Sequence, residues 1–314
     1  MKIKIIIVLT ILSNIAFGQF EDKSELKKVT SEMILKIKKY SLVKDSADWD
    51  ELNREVLKDI DNLPLDSSKY IISEILNVLK KYGDNHSFYM TKVEASQDNS
   101  FSYNENIAMP GSQLLENNIA YLHLPAHKCM NSELNYLYAD TLISQIRELD
   151  ENHNIKGWII DLRQNRGGNM WPMLAGLSPF FYGKMIGYFA SDKNDINFKI
   201  KAKSIPSFKS LVNKYECRSF NHKIAVLIDT LTASSGEMTA ICLLGLNNTK
   251  SFGLRSAGCT TMLHTFKLVN GSLFLLATEF FMDGNNKIYK DAIQPNVIAD
   301  KNIIFQKAIN WIYE

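Results

Sequence analysis

The sequence predicts an α/β (α+β) fold, in which an N-terminal helical subdomain precedes a core with a mixed β-sheet. Apolar residues recur at three- and four-residue spacing through residues 24–82, as on one face of a helix. From residue 119 onward, short aliphatic and β-branched runs alternate with helical patterns, which is typical of an α/β layer structure with a partly parallel sheet. The 314 residues, 46% of them hydrophobic, are sufficient for a folded globular protein.

The first 18 residues have the pattern of a secretory signal peptide. Two lysines open the chain, residues 5–12 are apolar, and Ala16 and Gly18 are small residues before a cut ahead of Gln19. The apolar run is too short for a membrane span, and no later segment has the roughly 18 apolar residues that a span needs. We therefore expect an exported protein, periplasmic or extracellular after cleavage near Gly18, with no membrane span.

Charge and cysteine spacing exclude several function classes. Loss of residues 1–18 would reduce the 36 basic residues to 34, which equals the 34 acidic ones, so nothing favours nucleic acid as a partner. The cysteines have neither C-x-x-C pairing nor a histidine at metal-ligand spacing. We expect no metal, no cofactor and no essential disulfide. The cysteines are Cys129, Cys217, Cys242 and Cys259.

The elements follow in order along four parts of the chain: the signal peptide (1–18), the helical subdomain (19–83), a connecting motif with a surface loop (84–118) and the core (119–314). Periodicity predicts helices over 24–41, 47–60, 67–82, 132–149, 170–181, 235–246 and 303–312. Aliphatic runs predict strands over 119–124, 157–162 and 223–229. Residues 261–269 and 272–281 form a predicted hairpin across Asn270-Gly271. The polar, turn-rich residues 91–116 are predicted to be a surface loop.

The turn after the third core strand is the most informative segment. The strand ends at Asp229, and a helical pattern begins near Ser235, so a serine hydroxyl lies at a helix N-terminus. Unpaired N–H groups and the helix dipole at that end favour negative charge, as on an alkoxide or an acyl oxyanion. An ordinary N-cap serine explains the same pattern, so other features must decide.

A second turn, Asp161–Gly168, follows the strand that begins at Gly157. Its adjacent glycines permit a backbone turn that exposes N–H groups. Asp161, Arg163 and Asn165 are expected to hold this turn through buried hydrogen bonds. It lacks the G-x-G-x-x-G pattern and the Lys-Ser/Thr ending of phosphate-binding loops.

Together, Asp161–Gly168 and Thr232–Glu237 resemble the two signature segments of the S41 peptidase family, the tail-specific and C-terminal-processing proteases. Gly83–Ser87 is similar to the pre-core motif of the family's tricorn-like branch, and Asp291–Pro295 is similar to its closing Gly-Ile-x-Pro-Asp segment. The resemblance extends over residues 24–300. It implies a ClpP/crotonase-like core that acts on polypeptide or peptide substrates. Only residues 91–118 could hold the family's PDZ domain of about 90 residues, so a substrate-binding PDZ groove is not predicted.

By this resemblance the nucleophile is Ser234, with Ser235 as the second candidate. The Ser235 N–H and the Gly167-Gly168 turn would form the oxyanion hole, and His86 would be the general base. Without the resemblance, a lone histidine after Asp-Asn is more simply a turn residue. The other histidines (123, 127, 153, 222 and 264) have no motif context and are expected to be structural or exposed.

The sequence departs from the family pattern at three places. Cys259 stands where the processing proteases have a lysine base, so a Ser-Lys dyad is not expected unless Lys250 replaces it. Asn85 occupies the position of the serine that orients the histidine, and Tyr289 occupies that of a glutamate. Asn85 and Glu279 are the candidate orienting groups, and Glu237 and Asp84 could also substitute.

Three functions remain open at this point. The first is a serine-type peptidase that hydrolyses peptide bonds in exported proteins or peptides. The alternative is a catalytically inactive relative that binds a peptide or an apolar ligand, and an esterase with the same site is a weaker third hypothesis.

Overall fold

The computed structural model describes residues 20–98, 107–129, 131–191 and 195–314. The predicted signal peptide, residues 1–18, lies outside the described residues. The helices are α1 (Lys23–Tyr40), α2 (Trp49–Asn62), α3 (Ser68–Lys81), α4 (Lys92–Asp98), α5 (Ser132–Asn152), α6 (Met170–Gly176), α7 (Ser178–Phe181), α8 (Ser235–Leu244) and α9 (Ile304–Tyr313). None of the described helices is both long and apolar enough to span a membrane.

The strands are β1 (Phe88–Met90), β2 (Gly111–Leu115), β3 (Ile119–His123), β4 (Gly157–Asp161), β5 (Met185–Ala190), β6 (Ile196–Lys201), β7 (Lys223–Ile228), β8 (Thr249–Gly253), β9 (Thr261–Lys267), β10 (Leu273–Asp283), β11 (Ile288–Tyr289) and β12 (Val297–Ile298). In the described part of the chain they form two six-stranded sheets. One has the order β12-β8-β7-β4-β3-β2, and the other runs β1-β10-β5-β6, with β9 and β11 also paired to β10. This arrangement confirms the predicted mixture of helices and sheets.

The first sheet is parallel except at β2, and helices cover both of its faces. Alternate residues of β4 and β7 point to opposite sides: Ile160 and Val226 pack in the main core with α5, α6 and α8, while Ile159 and Leu227 pack against α9. Burial on both faces explains why these strands are continuous apolar runs rather than alternating ones.

The pairing of β4 with β7 brings the two predicted motifs together. The strands are parallel, and Asp161 at the end of β4 is opposite Leu227 near the end of β7. Because parallel strands end at the same edge of a sheet, the turns that follow them are neighbours.

The second sheet is antiparallel and joins the helical region to the core. The apolar faces of α1, α2 and α3 meet in a buried cluster that includes Phe274 and Leu276 of β10. Asp22 and Asp48 accept hydrogen bonds from first-turn N–H groups and cap α1 and α2. The N-terminal helices therefore share their core with a strand from the far end of the chain.

Several predicted elements required correction. The stretch 91–116, predicted to be a surface loop, contains α4 and β2. The helix predicted over 170–181 is divided at Leu177, and a second short helix begins at Ser178 with Pro179 in its first turn. Strands β5 and β6 were not predicted. The hairpin across Asn270-Gly271 is confirmed, since β9 and β10 pair in antiparallel register there.

Candidate active site

Ser234 lies at the turn between β7 and α8 in an unusual backbone conformation. Its φ angle is +52°, a region that residues other than glycine seldom occupy, and α8 begins at the next residue. Strained backbone of this kind persists only where its surroundings fix it, and it is concentrated at functional sites. Here the N–H of Ala233 donates to the Asn165 carbonyl at 2.9 Å, and the Ser234 N–H donates to Glu237 Oε2 at 3.0 Å.

The glycine turn after β4 packs directly against this serine. A Cβ atom placed on Gly167 would lie 2.9 Å from Ser234 Cβ, and one on Gly168 would lie 2.4 Å from the His127 carbonyl oxygen. Both glycines also have positive φ angles, 91° and 113°. Close approach and conformation both require glycine at these two positions.

Side chains hold the glycine turn from within, as the sequence predicted. Asp161 accepts from the Arg163 backbone N–H and guanidinium, and Asn165 Nδ2 donates to the Leu124 carbonyl. Asn165 Oδ1 accepts from the Gly167 N–H at 2.9 Å. The Gly167 N–H is therefore already engaged, which leaves the exposed Gly168 as the donor that this turn can offer to an oxyanion.

Ser235 is fixed beside that donor. Its hydroxyl donates to the Gly168 carbonyl at 2.6 Å, which joins the helix start to the glycine turn. As the first residue of α8, Ser235 has an N–H without an acceptor inside the helix. The N–H groups of Ser235 and Gly168 thus belong to two turns that are in contact at Ser234.

His127, which had no sequence motif, supports the turn through its backbone. Its N–H donates to the Gly167 carbonyl at 3.2 Å, and its carbonyl accepts from the Asn169 N–H at 2.7 Å. Its ring is fully buried, with Nε2 2.7 Å from Asn135 Oδ1. Burial lowers the pKa of this imidazole, and the hydrogen bond with Asn135 opposes the shift.

His86 follows α3 in a turn organised by Asp84. The buried Asp84 carboxylate accepts from the N–H groups of His86 and Ser87 at 3.1 and 2.9 Å. Ser87 in turn accepts from the Ala277 N–H of β10 at 2.8 Å. The pKa of the His86 imidazole is lowered mainly by burial, and the negative charge of Asp84 opposes this shift.

The ring of His86 is held by a residue that sequence reasoning did not select. His86 Nδ1 lies 2.9 Å from Thr261 Oγ1 at the start of β9. Of the candidate orienting groups, Asn85 is exposed, and Glu279 accepts a hydrogen bond from Asn197. A signal existed, because Thr261 is only two residues after Cys259, which stands where the processing proteases have a lysine base.

The carboxylate of Glu237 connects the serine turn with the segment that carries Thr261. Besides the Ser234 N–H, it accepts from the Gly258 N–H at 2.9 Å and from the Cys259 N–H at 2.7 Å. It also accepts from the Ser256 hydroxyl. Glu237 is fully buried, and this burial raises its pKa against the effect of its four hydrogen bonds. Glu237 therefore bonds directly to Ser234, the candidate nucleophile. It also bonds to Cys259, which is two residues before Thr261.

The residues considered for a lysine mechanism lie as follows. Cys259 is partly exposed, and burial together with the charges of Glu237 and Asp84 raises the pKa of its thiol to about 11. Lys250 lies over the Trp311 ring at 5.3 Å from the ring centroid, beside the α9 face of the sheet. Among the described residues, no three His, Cys, Asp or Glu side chains are grouped so that they could hold a metal ion.

Comparison with known proteins identifies a family that the chain matches. The model of peptidase family S41 matches residues 118–299. The nisin-resistance protein of Lactococcus lactis subsp. lactis is 31% identical over 274 residues, which cover 86% of this chain and 82% of the relative.

Solved structures share the fold. A lipoprotein from Streptococcus agalactiae has a TM-score of 0.72 at 23% identity, over 98% of this chain and 99% of that one. The photosystem II D1 C-terminal processing protease has a TM-score of 0.59 at 12% identity, over 88% and 93% of the two chains. By the family match and by its identity to a relative over most of both lengths, the chain belongs to peptidase family S41.

Proposed function

We propose that this S41 family member is a serine peptidase that hydrolyses peptide bonds in exported proteins or peptides. In this proposal Ser234 is the nucleophile, His86 is the general base and acid, and the N–H groups of Gly168 and Ser235 bind the oxyanion. The observation that carries it is the position of Ser234: a strained residue at a helix N-terminus, in contact with a glycine turn that tolerates no side chain.

The reaction would proceed by acyl transfer. Ser234 Oγ attacks the carbonyl carbon while His86 Nε2 takes its proton, and the carbonyl oxygen becomes an oxyanion that the two N–H groups stabilise. The same imidazole then protonates the leaving amine, which produces an acyl-enzyme and releases the first product. Water attacks the ester with His86 again as base, and Ser234 is regenerated.

The lowered pKa of His86 supports this role. Because burial lowers the pKa of His86 below its ordinary value, the free base form that takes up a proton is favoured at neutral pH. A histidine with a lowered pKa takes up the serine proton less readily, and stabilisation of the oxyanion offsets part of this cost.

The decisive experiment replaces Ser234 with alanine in the full chain without its first 18 residues. We expect hydrolysis of unstructured fluorogenic peptides and labelling by a serine-reactive phosphonate to be lost in Ser234→Ala. Ser73→Ala, which removes a hydroxyl bonded within α3, is the matched control and should behave as wild type. Unchanged cleavage or labelling in Ser234→Ala would refute the assignment.

The relatives guide the choice of substrate and compartment. One relative is named for resistance to nisin, and a fold neighbour is a lipoprotein, so we propose that this chain also works in the cell envelope or outside the cell. Nisin is the first defined substrate to test beside generic peptides. Mass spectrometry of the products would show whether and where it is cut.

One observation favours the binding-protein alternative. The hydrogen-bond partner of the His86 ring is a neutral hydroxyl, not a carboxylate that would stabilise an imidazolium. Saturable binding of peptide or lipid to wild type, without turnover and without phosphonate labelling, would support this alternative. Turnover that is lost in His86→Ala would exclude it.

A further inference from the structure

We propose that Thr261 is the positioning residue for His86: its hydroxyl accepts the Nδ1–H and thereby fixes the ring tautomer that leaves Nε2 free for Ser234. This inference rests on the proposed function for its catalytic meaning, but the tautomer itself can be measured independently of activity. It assigns the orienting role to a strand of the core rather than to the residue before the histidine.

The geometry of the contact carries the proposal. Thr261 Oγ1 and His86 Nδ1 are 2.9 Å apart, a normal hydrogen-bond distance, although the two residues are 175 positions apart in sequence. A neutral imidazole has one N–H, and the hydrogen bond at one nitrogen determines which nitrogen carries the proton. If Nδ1 carries it and donates to Thr261, Nε2 has the free lone pair that a base needs.

The hydroxyl can perform this role because its backbone is fixed on both sides. Thr261 is opposite Phe280 in the β9–β10 ladder, and the Phe281 N–H donates to the carbonyl of Thr260 at 3.1 Å. The Thr260 hydroxyl donates to the Tyr289 carbonyl at 3.1 Å, which fastens the segment to β11. A β-branched side chain on such a strand has restricted χ1 freedom, so Oγ1 is held in position.

The buried Glu237 carboxylate helps to fix the position of the Thr261 hydroxyl relative to Ser234. It binds the Cys259 N–H, two residues before Thr261, and the Ser234 N–H with the same oxygen, Oε2. Glu237 Oε2 therefore links the turn at Ser234 to the segment that leads into β9, where Thr261 contacts the imidazole. The other candidate groups do not compete, since Asn85 is exposed and Glu279 is bonded to Asn197.

The charged and titratable groups around the ring are compatible with a neutral partner. Asp84 on the histidine's own turn contributes a negative charge that favours imidazolium. On the facing segment the Cys259 thiol, with its pKa raised to about 11, is uncharged at neutral pH. Thr261 would thus supply alignment, while the charge that stabilises the protonated ring would come from Asp84.

The first test measures the tautomer in the wild-type protein. In ¹⁵N-labelled protein, NMR should show neutral His86 predominantly with its proton on Nδ1, identified by the signals that disappear in His86→Gln. A predominant Nε2–H tautomer would overturn the proposal, because the Thr261 hydroxyl would then be the donor and Nε2 could not act as a base.

The second test compares three variants by steady-state kinetics. Thr261→Val, which keeps the shape and removes the hydroxyl, should lower kcat about tenfold to a hundredfold with KM nearly unchanged, since alignment of a general base is one part of its 10²–10⁴-fold effect. Thr261→Ser should restore most of kcat. Thr265→Val, an exposed threonine on the same strand, should match wild type.

The outcomes separate this proposal from the proposed function. Wild-type kcat and an unchanged tautomer in Thr261→Val, with activity still lost in Ser234→Ala, would overturn the role of Thr261 alone. Activity that survives in Ser234→Ala would overturn the peptidase assignment, and the tautomer measurement would still decide whether Thr261 orients the ring. If Thr261→Val fails to fold, Thr261→Ser and the wild-type spectrum carry the test.

Discussion

The serine turn and the histidine turn are held by different kinds of interaction. Around Ser234 the structure depends on backbone hydrogen bonds, two glycines without space for a Cβ and a fully buried carboxylate. The turn at His86 is organised by Asp84, and its ring contacts Thr261, both at the hydroxyl and through a backbone hydrogen bond. Several contacts with the glycine turn and with residues 256–259 fix the first arrangement, whereas the second depends on the contacts of the ring with Thr261.

We expect the largest effect from a substitution in the glycine turn beside Ser234. Gly168→Ala would place a Cβ 2.4 Å from the His127 carbonyl oxygen at a φ angle of 113°. We expect the free energy of unfolding to fall by about 1–3 kcal/mol from the strain, and kcat to fall at least about a hundredfold, as for the loss of an oxyanion donor. Denaturant unfolding and peptide hydrolysis measure the two quantities.

A second glycine provides the control for this variant. Gly271 also has a positive φ angle, 85°, but the nearest atom to its added Cβ would be Lys92 Cδ at 3.6 Å. Gly271→Ala should therefore lower stability by roughly 1–2 kcal/mol, the cost of a left-handed alanine, with unchanged kcat. Equal kcat losses in the two variants would show that the glycine turn has no specific role.

We expect an effect of intermediate size on the pH dependence of kcat/KM, which depends on the pKa of His86. Because burial lowers the pKa of folded His86 below 6.5, the acid limb of kcat/KM should have its midpoint below pH 6.5. Asp84→Asn removes the charge that raises this pKa and should move the midpoint to still lower pH. A midpoint above 6.5 in wild type would contradict the environment described for the ring.

The same shift has a consequence for stability. Between the folded and the unfolded pKa of His86, the unfolded chain binds more protons, so its contribution to stability is present above pH 6.5 and is lost as the pH falls through that window. His86→Gln should show a smaller loss of stability on acidification than wild type. Chemical denaturation at pH 8 and at pH 5 would measure this difference.

We expect the smallest effect at Cys259, on the segment between the serine turn and Thr261. Burial and two neighbouring carboxylates raise the pKa of the Cys259 thiol to about 11, so it is protonated at neutral pH and a poor nucleophile. Cys259→Ala should retain kcat within about twofold, because Glu237 binds the backbone N–H and not the thiol. Alkylation of Cys259 by iodoacetamide should become rapid only as the pH approaches 11, and rapid reaction at pH 7 would contradict this prediction.

The same contrast explains what the sequence could predict. The strand, turn and helix around Ser234 and the glycine turn after β4 are local patterns, since their turn residues and apolar periodicity lie in continuous stretches such as 223–246. Alternation along the chain predicted a partly parallel sheet, but not which strands pair in it. Through these patterns the α/β class, the hairpin and the residues that hold the glycine turn were predicted correctly.

What the sequence could not predict depends on contacts between distant segments. Thr261 meets His86 only because β9 pairs with β10 while the helical region packs on the same strand. β6 has exposed residues at consecutive positions and gives no clear alternation, so it escaped detection with its neighbour β5. The stretch 91–116 was polar enough to hide α4 and β2.

The shared core of the N-terminal helices and β10 limits how this protein can be recombined. His86 precedes residue 118, where the family match begins, yet its ring is bonded to a residue inside that match. A chimaera that joins the front of one relative to the back of another at this boundary would pair a histidine and a threonine shaped by different ancestries. Grafting experiments should therefore exchange the two parts as a unit.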